Sequence, residues 1–134
     1  MANVLLFNFQ TSDKLPRLRF ILFKLGIRAR EVEPSDFGEP LGFLAGLEGY
    51  SAAETPEAGT FSDEMLVMNG FNNAQLDFFL KMLRQEKVFI PCKAVMTEHN
   101  AAWSAVHLHR ELSLEMEAMK AARMKDAGKN SAHG

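Results

Sequence analysis

The chain has 134 residues, a formal net charge of −2, 47% hydrophobic and 24% charged residues, the balance of a single globular domain. So weak a charge gives no general attraction to nucleic acid, and no apolar run approaches the roughly 20 residues that span a bilayer; neither is expected as a partner. The one cysteine, Cys92, excludes an intramolecular disulfide and suits a reducing cytoplasm, and the N-terminus MANVLLFNFQTSDK does not read as a secretory leader.

Residues 3–9 (NVLLFNF) form a short apolar run that predicts a buried strand. Thr11, Ser12 and Asp13 then offer N-cap oxygens to a helix with Pro16 in its first turn. Leu15, Leu18, Leu22 and Leu25 fall on one helical stripe, which Phe20 and Phe23 widen beyond the needs of one sheet contact. Gly26 can end this helix in a left-handed conformation. Residues 27–33 (IRAREVE) alternate apolar and charged side chains, the pattern of an edge strand with one wet face. Residues 34–64 are irregular and rich in glycine. Within them 40–47 (PLGFLAGL) predict two helical turns, whereas 50–63 read as a mobile acidic linker.

Residues 65–70 (MLVMNG) predict the next strand. Asn72 or Asn73 caps the helix that follows, with Leu76, Phe79, Leu80 and Leu83 as its core stripe and Phe78 and Met82 widening it. In 88–96 (VFIPCKAVM), Pro91 delays the regular ladder to Cys92. Thr97 and Asn100 then open a long helix from Ala101 to about Lys125. Ala105, Leu108, Leu112, Met119 and Ala122 form its stripe, with Met116 beside it. Gly128 is a stop, and 128–134 read as a disordered tail.

Charge is distributed unevenly. Residues 1–30 hold six basic residues and one acid; 31–64 hold nine acids and no Lys or Arg. The acidic segment is expected to lie across the basic first helix or to stay solvated. A basic patch for a phosphate-bearing ligand is the alternative.

The two halves overlay. VLLFNF lies over MLVMNG, and Leu15, Leu18, Ile21 and Leu22 lie over Leu76, Phe79, Met82 and Leu83. The expected fold is therefore α/β: one domain, 1–127, in which two strand–helix–strand repeats, about 3–47 and 64–125, share a four-stranded sheet, plus a long C-terminal helix. A doubly wound strand order is the first expectation. A ferredoxin-like α+β arrangement, with equivalent strands antiparallel, is the alternative.

The runs LGFLAGLEGY, EMLVMNGF and IPCKAVMTEHNAAW resemble a small bacterial family known as domain-of-unknown-function family 3783. The last run in that family resembles I-P-x-x-L-K-A-V-x-T-P-x-N-x-x-W. Ile90, Pro91, Lys93, Ala94, Val95, Thr97, Asn100 and Trp103 fit it, whereas Cys92 replaces an apolar residue and Glu98 a proline. The resemblance implies no chemistry, cofactor or catalytic residue.

Ligands of open α/β sheets bind beyond the carboxyl ends of the strands. Asn69, Asn72 and Asn73 follow the third strand; Thr97, His99, Asn100 and Trp103 follow the fourth, with Lys93 on it. These are the candidate binding residues for a small anionic ligand at a helix N-terminus. The plainer reading is that Thr97 or Asn100 caps the helix and Trp103 packs on the sheet. His99 and His107 are too far apart along a helix to share a metal, and no nucleophile–base pair or phosphate loop is visible, so no catalytic residue, metal or cofactor is assigned. Phe20, Phe23, Phe78, Met82, Leu112, Met116 and Met119 exceed what one small sheet can cover. They point to a cytoplasmic interaction or regulatory module that associates with itself or with another protein, with a ligand-binding domain as the alternative and an enzyme less favoured.

Overall fold

The structure, a computed structural model, describes the backbone of residues 2–133 and the side chains of 2–125. Two strands form its centre. β1 (Asn3–Phe7) and β3 (Met65–Asn69) are apolar on both faces and buried on both, apart from their terminal asparagines. They pair antiparallel with Leu5 opposite Val67 and Asn3 opposite Asn69. β2 (Arg28–Val32) runs parallel to β1 on one side, and β4 (Cys92–Val95) runs parallel to β3 on the other. The order β2-β1-β3-β4 makes an open mixed sheet of two parallel strand–helix–strand units joined back to back. Both edges follow from sequence: β2 alternates charged and apolar side chains, and Pro91 can give no ladder hydrogen bond ahead of β4.

Strand alternation divides the core into two layers. Val4, Leu6, Leu66 and Met68 face α1 (Leu15–Leu25) and α3 (Asn73–Gln85), which bury Leu18, Ile21, Leu22, Phe79 and Leu83 against them. Leu5, Phe7, Met65 and Val67 face the short helix α2 (Leu41–Leu44), the start of α4 (Ala105–His133) and an aromatic group containing Phe37. Gly26 closes α1 at φ 68°, freeing the Ile27 amide to reach the Leu22 carbonyl at 2.9 Å. Asn72 caps α3 in a reciprocal box: it accepts from the Gln75 amide at 2.8 Å, and the Gln75 side chain accepts from the Asn72 amide at 3.0 Å.

The architecture is the expected α/β sheet of two strand–helix–strand units with a long C-terminal helix, but its strand order is neither of those expected. A doubly wound sheet would set β1 and β3 parallel; they are antiparallel. A ferredoxin-like sheet would separate the strands of each unit; here they are neighbours. The sequence overlay also shifts by one residue on the strands. Val4 over Met65 would place equivalent side chains in opposite layers, whereas Val4 with Leu66 and Leu5 with Val67 share layers. The helix overlay keeps its register, since Leu18 and Phe79, and Leu22 and Leu83, are buried in one layer.

The fourth helix begins later than expected, at Ala105 rather than Ala101. Ser104 caps it, its hydroxyl accepting from the His107 amide at 3.0 Å. Thr97 and Asn100 close a turn of their own: Thr97 N–H donates to Asn100 Oδ1 at 2.8 Å, and Asn100 N–H to Thr97 Oγ1 at 3.2 Å. The carbonyls after that turn receive the free amides of α2, with Leu41 N–H on Trp103 O and Gly42 N–H on Ala101 O, each at 2.8 Å. A Cβ on Gly42 would meet the Tyr50 ring at 2.6 Å, so close packing requires that glycine. The helix does not stop at Gly128 as expected but runs on to His133, so the backbone of 128–133 is helical where a tail was expected; one glycine is tolerated within a long helix.

Residues 50–63, read as a linker, carry no regular secondary structure but are tethered along their length. Ala53 N–H donates to Glu39, Glu57 N–H to Gly38 O, and the Ser104 hydroxyl to Glu57 Oε2 at 2.6 Å. Part of the acidic segment does meet the basic one, through the ion pairs Lys14–Glu64 and Arg19–Glu31. Because Phe7 is fully buried in the central strand against Phe37 and Phe61, Phe7→Ala is expected to cost about 3–5 kcal/mol in denaturant unfolding. A loss below about 1 kcal/mol would contradict this placement of the core.

Candidate functional site

The residues singled out after β3 and β4 lie on one rim of the sheet, yet most are already committed to internal bonds. Asn69 donates to Asn3 Oδ1 at 3.1 Å, and Asn3 in turn donates to Ala45 O at 3.1 Å. Asn72 is the cap of α3, and Asn73 is exposed in its first turn. Asn100 uses both ends of its amide, accepting from Thr97 and donating to Val95 O at 3.2 Å. Lys93 Nζ donates to Ile90 O at 2.8 Å and lies over the Phe89 ring; burial lowers its pKa. Asn69 and Thr97 share a shallow cleft with Tyr50 and Glu98. Trp103 lines a different one, beside Glu57 and His107. It meets His99 edge-on at 5.2 Å between ring centres and stacks on His107 at 4.2 Å. The rim therefore gathers part of the expected set, split between two clefts.

A second group gathers on the opposite rim, where β1 ends and β3 and β4 begin. Asp63 lies two residues before β3, Cys92 is the first residue of β4, and His109 projects from the second turn of α4. One ligand-type atom from each lies within 4.8 Å of the other two, and His109 Nε2 is 2.8 Å from Asp63 Oδ2. Cys92 is buried, His109 half-buried and Asp63 exposed. The neighbours hold this geometry. Phe61 stacks face to face on the His109 imidazole, 4.2 Å between centres and 6° apart, and itself stacks on Phe37. Asn8, in the left-handed region at φ 67°, donates from its side-chain amide to the carbonyls of both Phe61 and Asp63 at 2.9 Å. Asparagine tolerates that conformation better than most residues.

Burial, reinforced by the Asp63 carboxylate and opposed by Lys93, pushes the Cys92 thiol pKa up. It is a protonated, shielded thiol rather than a ready nucleophile. A groove of about 560 Å³ opens beside Asp63 and Cys92, walled on its far side by Met116, Lys120 and Arg123 of α4. Sequence reasoning missed this group because its members lie 29 and 17 positions apart, with no ligand-spacing motif. The one hint was Cys92 standing where the resembled family carries an apolar residue.

Residues 64–119 match the family described as "Domain of unknown function (DUF3783)", so this part of the chain resembles that family. The matched segment contains EMLVMNGF and IPCKAVMTEHNAAW and leaves LGFLAGLEGY outside. No curated protein and no solved structure matches the chain. Among the described residues no helix is long and apolar enough to cross a membrane.

Two outcomes follow from these contacts. Asn100→Ala should lower unfolding stability by about 1 kcal/mol, as loss of a cap does; no change would mean that its turn contributes nothing. Cys92 should react with iodoacetamide at neutral pH far more slowly than the same thiol in denaturant, its rate rising only above the ordinary thiol range, because a raised pKa keeps it protonated. Equal rates with and without denaturant, followed by mass spectrometry, would contradict the buried, protonated state.

Proposed function

We propose that the protein is a small cytoplasmic interaction module that self-associates, and that its partner is a second copy docked along α4. The observation that supports this reading is the exposure of α4 beyond its docked first turns. Ala105, Val106 and Leu108 are buried on the sheet, but every residue from Leu114 to Lys125 is exposed. Leu114 and Met119 are 55% and 56% exposed, and Met116 and Met124 are exposed with them. A helix without tertiary support is marginal in water, so an apolar stripe carried out into solvent calls for a covering surface.

The charge order argues for a like partner. After Arg110 the helix carries Glu111, Glu115 and Glu117, and Lys120, Arg123 and Lys125 follow. An antiparallel second copy sets acids against bases in both directions and seals Leu112, Met116 and Met119 between the helices. The other apolar patch is a weaker candidate. Phe23 is 84% exposed, but Phe20 lies under Lys24, Phe78 is half covered, and Met82 packs on the core.

Sedimentation equilibrium tests this. The expected mass approaches twice that of the chain at high concentration, and Met116→Glu with Met119→Glu weakens association at least tenfold while far-UV circular dichroism retains the folded body. Added salt should also weaken it, since the charges are exposed. A monomer at every concentration, or a dimer insensitive to the double substitution, would overturn the reading.

A further inference from the structure

We propose that Asp63, Cys92 and His109 form a binding site for a divalent transition-metal ion of the zinc class, with its fourth position open to the groove beneath α4. The donor set matches such an ion. A thiolate sulfur, which Cys92 supplies by releasing its proton as the ion binds, an imidazole nitrogen and a carboxylate oxygen are the three ligand types that zinc takes, and three protein ligands leave one position for water or an exogenous ligand. Hard cations such as calcium and magnesium would want oxygen alone.

Bonds of about 2.0–2.3 Å in a tetrahedral site place ligand atoms roughly 3.3–3.8 Å apart. The three atoms here all lie within 4.8 Å of one another, with the carboxylate 2.8 Å from the imidazole. Side-chain movements of about 1 Å bring them to bonding distance. The group is also braced by its neighbours. Phe61 fixes the plane of the His109 ring, and Asn8 fixes the backbone that carries Asp63. Cys92 is held in register by its pairing with Met65. Asp63, the exposed member, can swing without disturbing the core.

The open position has a character of its own. Asp63 and Cys92 face the groove whose far wall holds Lys120 and Arg123. Glu117 lines the groove as well, so its charge is mixed and does not by itself choose the fourth ligand.

Cobalt(II) is the probe, because cobalt bound through a thiolate shows a sulfur-to-metal charge-transfer band and tetrahedral cobalt shows strong visible bands. Titration of the full chain should give both at one ion per chain, and zinc should displace them. Cys92→Ala should remove the charge-transfer band. Asp63→Asn and His109→Gln should each weaken cobalt binding at least tenfold, whereas His107→Ala should leave it unchanged. Asp63 is exposed, so its variant carries the test even if the Cys92 variant fails to fold. Cobalt binding without a charge-transfer band, binding unchanged by Asp63→Asn, or no binding at micromolar cobalt would each overturn the proposal.

Discussion

The antiparallel pairing of β1 with β3 is the constraint on which the rest of the molecule depends. Each strand feeds a parallel partner through a helix, and each is covered on both faces, so every apolar layer is anchored to this one seam. The pairing ends in Asn3 and Asn69, whose side chains bond across the seam. A slip by one residue would set Leu5 and Val67 in different layers. Two central strands with no wet face thus define register for both units, and the edge strands follow.

The seam also explains how much was legible beforehand. Strands, helices, the edge character of IRAREVE, the late start of β4 and the Asn72 cap all rest on local chemistry, and local chemistry is what sequence periodicity reports. Relative strand direction is not local. Nothing in VLLFNF or MLVMNG says whether they run together or opposed, and the inward residues of a strand covered on both faces show no alternation to read. The one-residue error in the strand overlay has the same origin: both faces are apolar, so either phase looks equally good.

The group of Asp63, Cys92 and His109 escaped the sequence reading for a related reason. The rule that ligands gather beyond carboxyl ends presumes strands that all end on one rim. Here β1 and β2 end on the rim where β3 and β4 begin. Asp63 and Cys92, both at strand beginnings, therefore face the carboxyl end of β1, with Asn8 beside them. The expected rim is occupied instead by amides that cap, bridge and close turns. No ligand-spaced partner marks His109 in the sequence, and only the packing of α4 over the seam brings it to Cys92.

The open sheet leaves a row of unpaired backbone groups along β2 and another along β4, and such rows recruit other strands into aggregates. Three of the five residues of β2 are charged, Arg28, Arg30 and Glu31, with the first three positions exposed, while β4 is four residues long, preceded by Pro91 and marked by Lys93. A strand arriving at either edge would have to desolvate charge or meet a ring with no N–H to offer. Both edges of the sheet are thereby guarded against the addition of a further strand.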